Sequence, residues 1–244
     1  MNLLLWVALP YVSVAILVAG TIWRYRYDKF GWTTRSSELY EKRLLRIASP
    51  LFHYGLIFVI LGHVMGLLIP ESWTKALGVS EDTYHWTSLI GGAIAGIAAL
   101  VGLGMLIYRR RTTGPIFSAT TRNDKLMYVL LGGSILLGVL VTIVENGILG
   151  PYDYRQTVAP WFRGIFTLRP DPDLMTGIPW LYKFHVLFGM LLVILFPFTR
   201  LVHAFAAPVK YLFRPYIVYR TRGDAGPGAR EPARGWEPVT RARR

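Results

Sequence analysis

The sequence predicts an all-α, polytopic membrane protein with five transmembrane helices. Of its 244 residues, 53% are hydrophobic and only 17% are charged, and the mean hydropathy is +0.38. Soluble domains carry about 25% charged residues, so this composition does not suit a water-facing surface. The apolar residues fall into five blocks, each near the length of about 20 residues that a helix needs to cross a bilayer. The chain contains no cysteine, which excludes disulfides, thiolate metal sites and iron–sulfur clusters within it.

The predicted spans are bounded by charge, proline or glycine, and each is too long and continuous for a strand. They cover residues 3–23, 47–69, 86–108, 126–148 and 179–206. The first lacks the basic start and small-residue cleavage site of a signal peptide, so we expect it to be retained. The spans form a predicted membrane domain over residues 1–222. A tail over 223–244, rich in Gly, Pro and Arg, is expected to be disordered.

The basic residues predict the orientation. Of the 27 Lys and Arg, 22 fall on one side of the membrane, in the first-to-second connection, the third-to-fourth connection and the chain from residue 200 onward. The positive-inside rule places these segments in the cytoplasm, so the N-terminus is predicted outside and the C-terminus inside. The net charge of +13 is then mostly a topology signal, and no nucleic-acid partner is expected.

Four of the five histidines lie within the second and fifth spans, two on each. An ionisable side chain inside a membrane is costly and by default indicates function. A single such residue is more often a hydrogen-bonded core histidine, but two on each of two helices favour a ligand role. Because the two spans run in opposite directions, His63 pairs with His185 toward the outer face, and His53 pairs with His203 toward the inner face.

The spacing of these histidines indicates what they hold. In the fifth span 18 residues separate the two, which is five turns or about 27 Å, whereas 10 residues in the second span cover about 15 Å. The mismatch requires tilt or a bend, and Pro197 is a natural place for a bend. Sites stacked at a mean of about 21 Å suit two planar cofactors better than a binuclear metal centre, whose ions lie about 3.5–4 Å apart.

One histidine from each of two helices meets the requirement of a six-coordinate b-type haem. No CxxCH motif occurs, which excludes covalent c-type attachment. Glycines near the four histidines either let a porphyrin approach the backbone or serve ordinary helix packing, and the sequence leaves both open. They are Gly55, Gly62, Gly66 and Gly189.

Two stretches resemble a known family. SPLFHYGLIFVILGHVMGLLIP (Ser49–Pro70) and LYKFHVLFGMLLVILFPFTRLVHAFAAPVKYL (Leu181–Leu212) are similar to the second and fifth helices of the gamma subunit of membrane-bound respiratory nitrate reductase, a dihaem cytochrome b. The resemblance includes the 10- and 18-residue histidine spacings and the basic first loop containing WRYRYD, and it covers most of residues 1–220. It does not extend to the 150–178 loop or the arginine-rich tail.

The resemblance implies a subunit of a quinol:nitrate oxidoreductase in the cytoplasmic membrane of a bacterium or archaeon. Quinol is oxidised near the outer face, and electrons pass through two b haems to an iron–sulfur beta subunit and a molybdenum alpha subunit in the cytoplasm, where nitrate is reduced to nitrite. By position, His63 and His185 hold the outer (distal) haem, and His53 and His203 hold the inner (proximal) haem.

Further residues are candidates for quinol and proton chemistry. His85 lies at the outer entrance of the third span, and histidine is a side chain suited to proton acceptance from quinol. The family often has a lysine there, and an aromatic-belt histidine is the alternative. Gly62 resembles the glycine of the family's quinol pocket. Glu145 and Asp153, near the outer end of the fourth span, are candidates for passing protons outward.

Haem propionates need basic partners. Arg200, one turn before His203, and the run Arg109–Arg111 are candidates at the inner haem, although a topology role is the stronger explanation of the run. Lys183 and Arg163 are candidates at the outer haem.

Two other functions stay open. The first is a dihaem, quinol-oxidising subunit of another cytoplasmic reductase, such as a heterodisulfide- or sulfite-reductase-like complex. The second, more remote, is a metal transporter lined by histidine, which predicts clustered ligands with acidic partners at depth. The interiors of the histidine-bearing spans contain no Asp or Glu.

Overall fold

The computed structural model describes residues 2–32 and 37–206 and is helical, with no strand in those residues. Within these residues, five helices are long and apolar enough to cross a membrane, which confirms the five predicted spans. They are span 1 (Leu4–Tyr27), span 2 (Arg43–Leu68), span 3 (Glu81–Thr112), span 4 (Arg122–Ile148) and span 5 (Trp180–Phe198). The predicted tail over 223–244 lies outside the described residues.

Spans 1 to 4 are longer than their apolar blocks. Span 3 begins five residues before its block, where the Ser80 side chain accepts a hydrogen bond from the Thr83 amide at 3.2 Å, and it continues through the basic run Arg109–Arg111. Long basic side chains can lie along apolar surface and still place their charge in water. A hydropathy block therefore underestimates the length of the helix that contains it.

The fifth span, predicted over 179–206 with Pro197 as the place for a bend, consists of separate helical segments. An α-helix runs over Trp180–Leu195, a short 3₁₀ turn follows over Phe196–Phe198, and a separate 3₁₀ helix covers Arg200–Ala206. Thr199 between them is extended (φ −119°, ψ −179°). Pro197 has no N–H and its ring crowds the preceding turn, which weakens a helix at this point, and the predicted bend is present as a break. His203 therefore lies on its own segment, here called the His203 segment (Arg200–Ala206), and the 27 Å spacing does not apply.

The spans pack as neighbours: span 2 on span 3, span 4 on spans 3 and 5, and span 1 on span 5. Two glycines permit the closest approach. A Cβ added to Gly55 would lie 2.6 Å from the Ala99 amide nitrogen, and one added to Gly102 would lie 2.5 Å from the Phe52 amide nitrogen. Spans 2 and 5, which carry the paired histidines, make little backbone contact with each other.

The connection between spans 4 and 5 folds into a cap on one end of the bundle. Its main element is the helix Val158–Phe166, whose Trp161 is buried and donates its indole N–H to the Trp6 carbonyl at 2.8 Å. Arg163 donates to the Leu67 carbonyl at 2.9 Å, at the end of span 2. The cap therefore joins spans 1 and 2 at the end of the bundle nearest His63, here called the His63 end. The opposite end is the His53 end.

Candidate cofactor site formed by two histidine pairs

The structure brings the four histidines of spans 2 and 5 together in the pairs that the topology predicts. His63 and His185 face each other with their Nε2 atoms 3.5 Å apart and their ring centres 5.8 Å apart. The ring centres of His53 and His203 are 6.3 Å apart, with the rings at 75° to each other. Each pair draws one side chain from span 2 and one from span 5 or the segment that follows it.

The Nδ1 atom of every paired histidine lies against a backbone carbonyl. The distances are 2.7 Å from His53 to the Ser49 oxygen and 2.8 Å from His63 to the Val59 oxygen, and 3.0 Å from His185 to the Ser134 oxygen and 2.5 Å from His203 to the Arg200 oxygen. A carbonyl only accepts, so each Nδ1 must carry the proton. In a neutral imidazole the lone pair is then on Nε2.

This tautomer determines which interactions the facing Nε2 atoms of His63 and His185 can make. Two Nε2 lone pairs that face each other at 3.5 Å cannot form a hydrogen bond while both rings are neutral. They can both donate to one metal ion between them. A histidine that binds a metal characteristically donates its other N–H to a carbonyl or carboxylate, which fixes the ring and raises its basicity. The arrangement therefore suits two nitrogen ligands to one metal ion.

The dimensions fit a haem iron. A metal ion lies about 2 Å from an imidazole nitrogen, so two axial nitrogens are about 4 Å apart and their ring centres roughly 6 Å apart. The measured ring-centre distances of 5.8 and 6.3 Å agree with this. No group of three or more His, Cys, Asp or Glu that could hold a metal ion occurs in residues 2–32 and 37–206. Each pair thus offers two donors, which is the number that an iron already held by a porphyrin requires.

Two residues of span 4 make room for the His185 ring and orient it. A Cβ on Gly138 would lie 3.0 Å from His185 Cε1, so this glycine makes room for the ring. Ser134, one turn earlier on the same face, supplies the carbonyl that accepts from the ring. Neither Gly138 nor Ser134 was predicted as a site residue from the sequence. The four-residue spacing between a small residue and a glycine was the available signal, but it is common in membrane helices.

The glycines near the histidines divide between the two roles that the sequence left open. Gly55 packs on span 3, and a Cβ on Gly66 would lie 2.8 Å from the Tyr154 hydroxyl. A Cβ on Gly62 or Gly189 would meet no heavy atom of the described chain within 4 Å. Gly189 lies one helical turn beyond His185, on the same face. Of these four glycines, Gly62 and Gly189 are therefore the ones with open space beside them.

His85 is half-buried in the first turns of span 3, with its ring centre 5.7 Å from that of Trp86. No hydrogen bond or ring contact joins it to His63 or His185 in the part of the chain that the structure describes. Gly62 is exposed beside His63. The structure thus places His85 and Gly62, the two candidates for the quinol site, toward the His63 end without bringing these two residues into contact.

Glu145 is a buried carboxylate within span 4, with 8% of its surface exposed. It lies in the π-helical stretch Val141–Ile148, and π-helical turns occur frequently at functional sites. No hydrogen bond or ion pair to it is found among the described residues. Its neighbour Asn146 donates a hydrogen bond to the Tyr182 hydroxyl at 2.7 Å. Tyr182 lies three residues before His185.

Tyrosines that sequence reasoning did not single out lie beside this stretch at the His63 end. The hydroxyls of Tyr84 and Tyr154 are 3.2 Å apart, and the Tyr154 and Tyr182 rings are 6.3 Å apart between centres. Burial raises the pKa of Tyr154, so its hydroxyl stays protonated at any physiological pH and can donate a hydrogen bond. Only the fold brings them together, since they come from span 3, the cap and span 5.

The basic candidates already have partners within the chain. Arg200 donates through Nε and Nη2 to the two oxygens of Asp124, at 2.7 Å each, which leaves Nη1 available. Lys183 donates to the Thr176 carbonyl at 2.7 Å, and Arg163 donates to Leu67. Arg109 is buried and makes four hydrogen bonds to Ser37 and Glu41, at 2.6 to 2.9 Å. Arg109 therefore fastens the loop before span 2 to the end of span 3.

The fold and the site together define a five-span helical membrane protein with two facing histidine pairs. One family model also matches nearly the whole chain. The chain belongs to the nitrate reductase gamma subunit family, whose model matches residues 2–222.

Individual relatives agree with this assignment. The nitrate reductase gamma chain of Bacillus subtilis is 48% identical over 219 residues, which cover 90% of this chain and 98% of the relative. The respiratory nitrate reductase 2 gamma chain of Escherichia coli is 30% identical over 223 residues, covering 91% of this chain and 98% of the relative. The nitrate reductase-like protein NarX of Mycobacterium tuberculosis is 55% identical over 237 residues, which are 97% of this chain but 36% of that protein. The chain thus spans about a third of NarX.

Proposed function

We propose that this chain is a dihaem cytochrome b subunit that anchors a respiratory nitrate reductase in the membrane and delivers electrons from quinol to it. The observation that carries the proposal is the facing pair His63 and His185, with both Nδ1 atoms on carbonyls and the Nε2 atoms 3.5 Å apart. The gamma-chain relatives, which match along nearly their whole length, support the nitrate assignment.

Each site combines two chain ligands with one b haem. His63 and His185 hold one haem, and His53 and His203 hold the other. Bound haem iron supplies one-electron transfer. The chain's own contribution is to fix the tautomer and direction of each imidazole through its Nδ1–H bond, and to leave room at Gly62 and Gly189. The remaining Nη1 of Arg200 is the donor that a propionate of the His53-end haem would use.

The His63 end faces the outside of the cytoplasmic membrane, and the His53 end faces the cytoplasm. This orientation follows from the basic loops at the His53 end. Those loops also suit docking of an iron–sulfur beta subunit and a molybdenum-containing alpha subunit, where nitrate is reduced to nitrite. Electrons therefore travel from the His63 pair to the His53 pair.

Quinol is oxidised near the His63 pair. His85 is the basic side chain that accepts a quinol proton, and Gly62 lets the ring of the quinol lie close to span 2. Glu145 passes protons outward, a role supported by its burial and by the lack of a hydrogen-bonding partner among the described residues.

Haem content is the direct test of the proposal. We expect the complex purified from membranes to contain two b-type haems for each copy of this chain in a reduced-minus-oxidised spectrum. His63→Ala and His53→Ala should each remove one of the two. A spectrum without a b-type α-band, or single variants that retain both haems, would contradict the proposal.

Quinol chemistry needs a separate test, in complexes that keep both haems. His85→Ala is expected to slow the reduction of the haems by quinol, and His85→Lys is expected to preserve it because a basic group remains. Glu145→Gln is expected to slow proton release on the outer side. An unchanged rate in His85→Ala would remove the proton-acceptor role, and unchanged proton release in Glu145→Gln would remove the exit role.

A related dihaem subunit of another cytoplasmic reductase would share every feature of this chain, so only the partner distinguishes it. Co-purification of a molybdenum subunit with a four-cluster iron–sulfur subunit is the expected result, and a heterodisulfide- or sulfite-reductase-like partner would favour the alternative. For a metal transporter, the two-donor pairs offer too few ligands for a free ion in the described residues.

A further inference from the structure

The break in span 5 is stabilised by side chains from two other spans. Arg24 of span 1 donates through Nη1 to the carbonyls of Pro197 and Thr199, at 2.8 and 2.7 Å. Asn123 of span 4 donates to the Phe198 carbonyl, at 2.5 Å. Three consecutive carbonyls of the break thus accept from side chains. In a membrane, freed backbone groups need such partners because water is absent.

The Arg24 side chain is itself held in place by neighbouring groups. It is half-buried, its Nη2 donates to the Gly31 carbonyl at 2.6 Å, and the Asp28 carboxylate lies 3.3 Å from its Nε. Gly20, one turn earlier on the same face of span 1, lets the two spans meet at the break. A Cβ at that position would lie 2.8 Å from Pro197 Cγ.

A second set of contacts fixes the chain after the break. Asp124 lies directly after Asn123 and holds the Arg200 guanidinium through two hydrogen bonds of 2.7 Å. The Arg200 carbonyl in turn accepts from His203 Nδ1 at 2.5 Å. The direction of His203 therefore depends on where the chain leaves the break, which Arg24 and Asn123 determine, and on Asp124, which holds the following turn.

Without Arg24 the chain has a local alternative. The amide of Leu201 now donates to the Thr199 side chain at 3.3 Å. In a continuous helix the same amide would donate to the Pro197 carbonyl, which Arg24 occupies here. Rewinding of this turn would rotate the His203 segment relative to span 5 and turn the imidazole away from His53.

We infer that Arg24, on a span without any ligand histidine, is the positioning residue for His203. It acts by keeping span 5 broken at Pro197, so that the His203 imidazole faces His53. The inference rests on the proposed function, in which these two histidines hold the His53-end haem. The His63 pair shares none of these contacts, so the two haems should respond differently.

The test is to substitute Arg24 in the complete membrane complex and to follow each haem by its EPR signal and its redox titration. Arg24→Gln is expected to alter the signal and potential of the His53-end haem and to weaken its retention by up to about 10-fold, as loss of a ligand's support does. The His63-end haem should be unchanged. Arg24→Lys keeps one cation near the two carbonyls and should restore part of the effect.

Arg26→Gln is the matched control, since Arg26 is an exposed cation two residues away on the same helix. If Arg24→Gln fails to assemble, Asn123→Ala provides a milder loss at the same break, with the same haem-selective outcome expected. Unchanged signals from both haems, or equal damage to both, would overturn the inference. A wild-type complex that lacks a second haem would instead overturn the proposed function.

Discussion

At the scale of single residues, the four paired histidines share the same type of hydrogen bond. Each ring donates from Nδ1 to a backbone carbonyl, and in each neutral ring the free lone pair is therefore on Nε2. The carbonyls belong to the same helix one turn back for His53 and His63, but to span 4 for His185. The position of a histidine in the sequence indicates its depth in the membrane, whereas its neighbours decide which nitrogen is available.

Gly189 provides a residue-scale prediction. Gly189→Val adds a branched side chain on the His185 face, where no described chain atom lies within 4 Å, so the chain itself should accept it. A planar cofactor beside that face should not, and we expect lower haem content at nearly unchanged thermal stability of the helices. Pyridine haemochrome analysis and circular dichroism measure the two quantities.

Gly91→Val is the control, because Gly91 is equally free of contacts but lies on span 3, which has no ligand histidine. Equal haem content in both variants would show that Gly189 does not line a cofactor site.

At the scale of helices and loops, the structure is held by close contacts between spans and by side chains that reach from one element to another. Spans 2 and 3 meet backbone to backbone at Gly55 and Gly102, directly beside His53. At the His53 end, buried Arg109 holds both ends of the 37–41 loop. Helix packing by residues outside the proposed ligand set therefore helps to position His53.

Gly102→Ala tests the contact between spans 2 and 3. The new Cβ would lie 2.5 Å from the Phe52 amide nitrogen, which is backbone and cannot rotate away. Overpacking of this kind costs about 1–3 kcal/mol, so we expect a lower melting temperature in detergent. Gly104→Ala, two residues along the same helix with no atom within 4 Å, should melt like the wild type. Equal melting of the two variants would contradict the packing argument.

Glu41 predicts a pH dependence. The Leu44 amide donates to its carboxylate at 2.7 Å and Arg109 donates at 2.6 Å, and these bonds hold the pKa of Glu41 below its usual value of 4.5. A carboxylate with a lowered pKa stabilises the fold above its unfolded pKa, and this stabilisation is lost as the pH falls through the folded pKa. Glu41→Gln should therefore melt below the wild type at neutral pH.

The difference should shrink once the pH falls below about 4.5 and vanish below the lowered pKa, as scanning calorimetry across a pH series would show. Asp173→Asn, an exposed carboxylate in the cap, serves as the control for general acid effects. A difference between Glu41→Gln and the wild type that stays constant with pH would contradict the role of the carboxylate charge.

At the scale of the whole molecule, the two ends of the bundle are built differently. At the His63 end the cap buries Trp161 against Trp6 of span 1, beside a tyrosine cluster, and at the His53 end Arg109 holds the 37–41 loop and Arg200 binds Asp124 of span 4. This asymmetry fits the proposed roles, with quinol chemistry in a sheltered region at one end and docking of soluble subunits at the other.

The orientation can be measured directly because the chain has no cysteine of its own. Leu77→Cys at the His63 end and Leu39→Cys at the His53 end introduce thiols at side chains that are 83% and 98% exposed. We expect a membrane-impermeant maleimide to label Leu77→Cys in intact cells and Leu39→Cys only after the membrane is opened. The reverse pattern would invert the proposed orientation.

The sequence by itself determined the number of spans and the pairing of the four histidines. Both depend on local composition and on order along the chain: apolar blocks of bilayer length form helices, and consecutive spans must run in opposite directions. The bend at Pro197 was also readable, because the missing N–H of proline acts on its own helix. The family resemblance rested on these same local patterns.

Only the tertiary structure decided how the break is held, which arginines are already occupied and how the cap folds. Arg24 and Pro197 are 173 residues apart, and Trp6 and Trp161 are 155 apart. Asp124, 76 residues from Arg200 in the sequence, binds the Nε and Nη2 atoms of Arg200 and leaves only Nη1 for another partner. Such contacts depend on the close packing of distant segments, whose side-chain geometry is not encoded in any local period of hydrophobicity or charge.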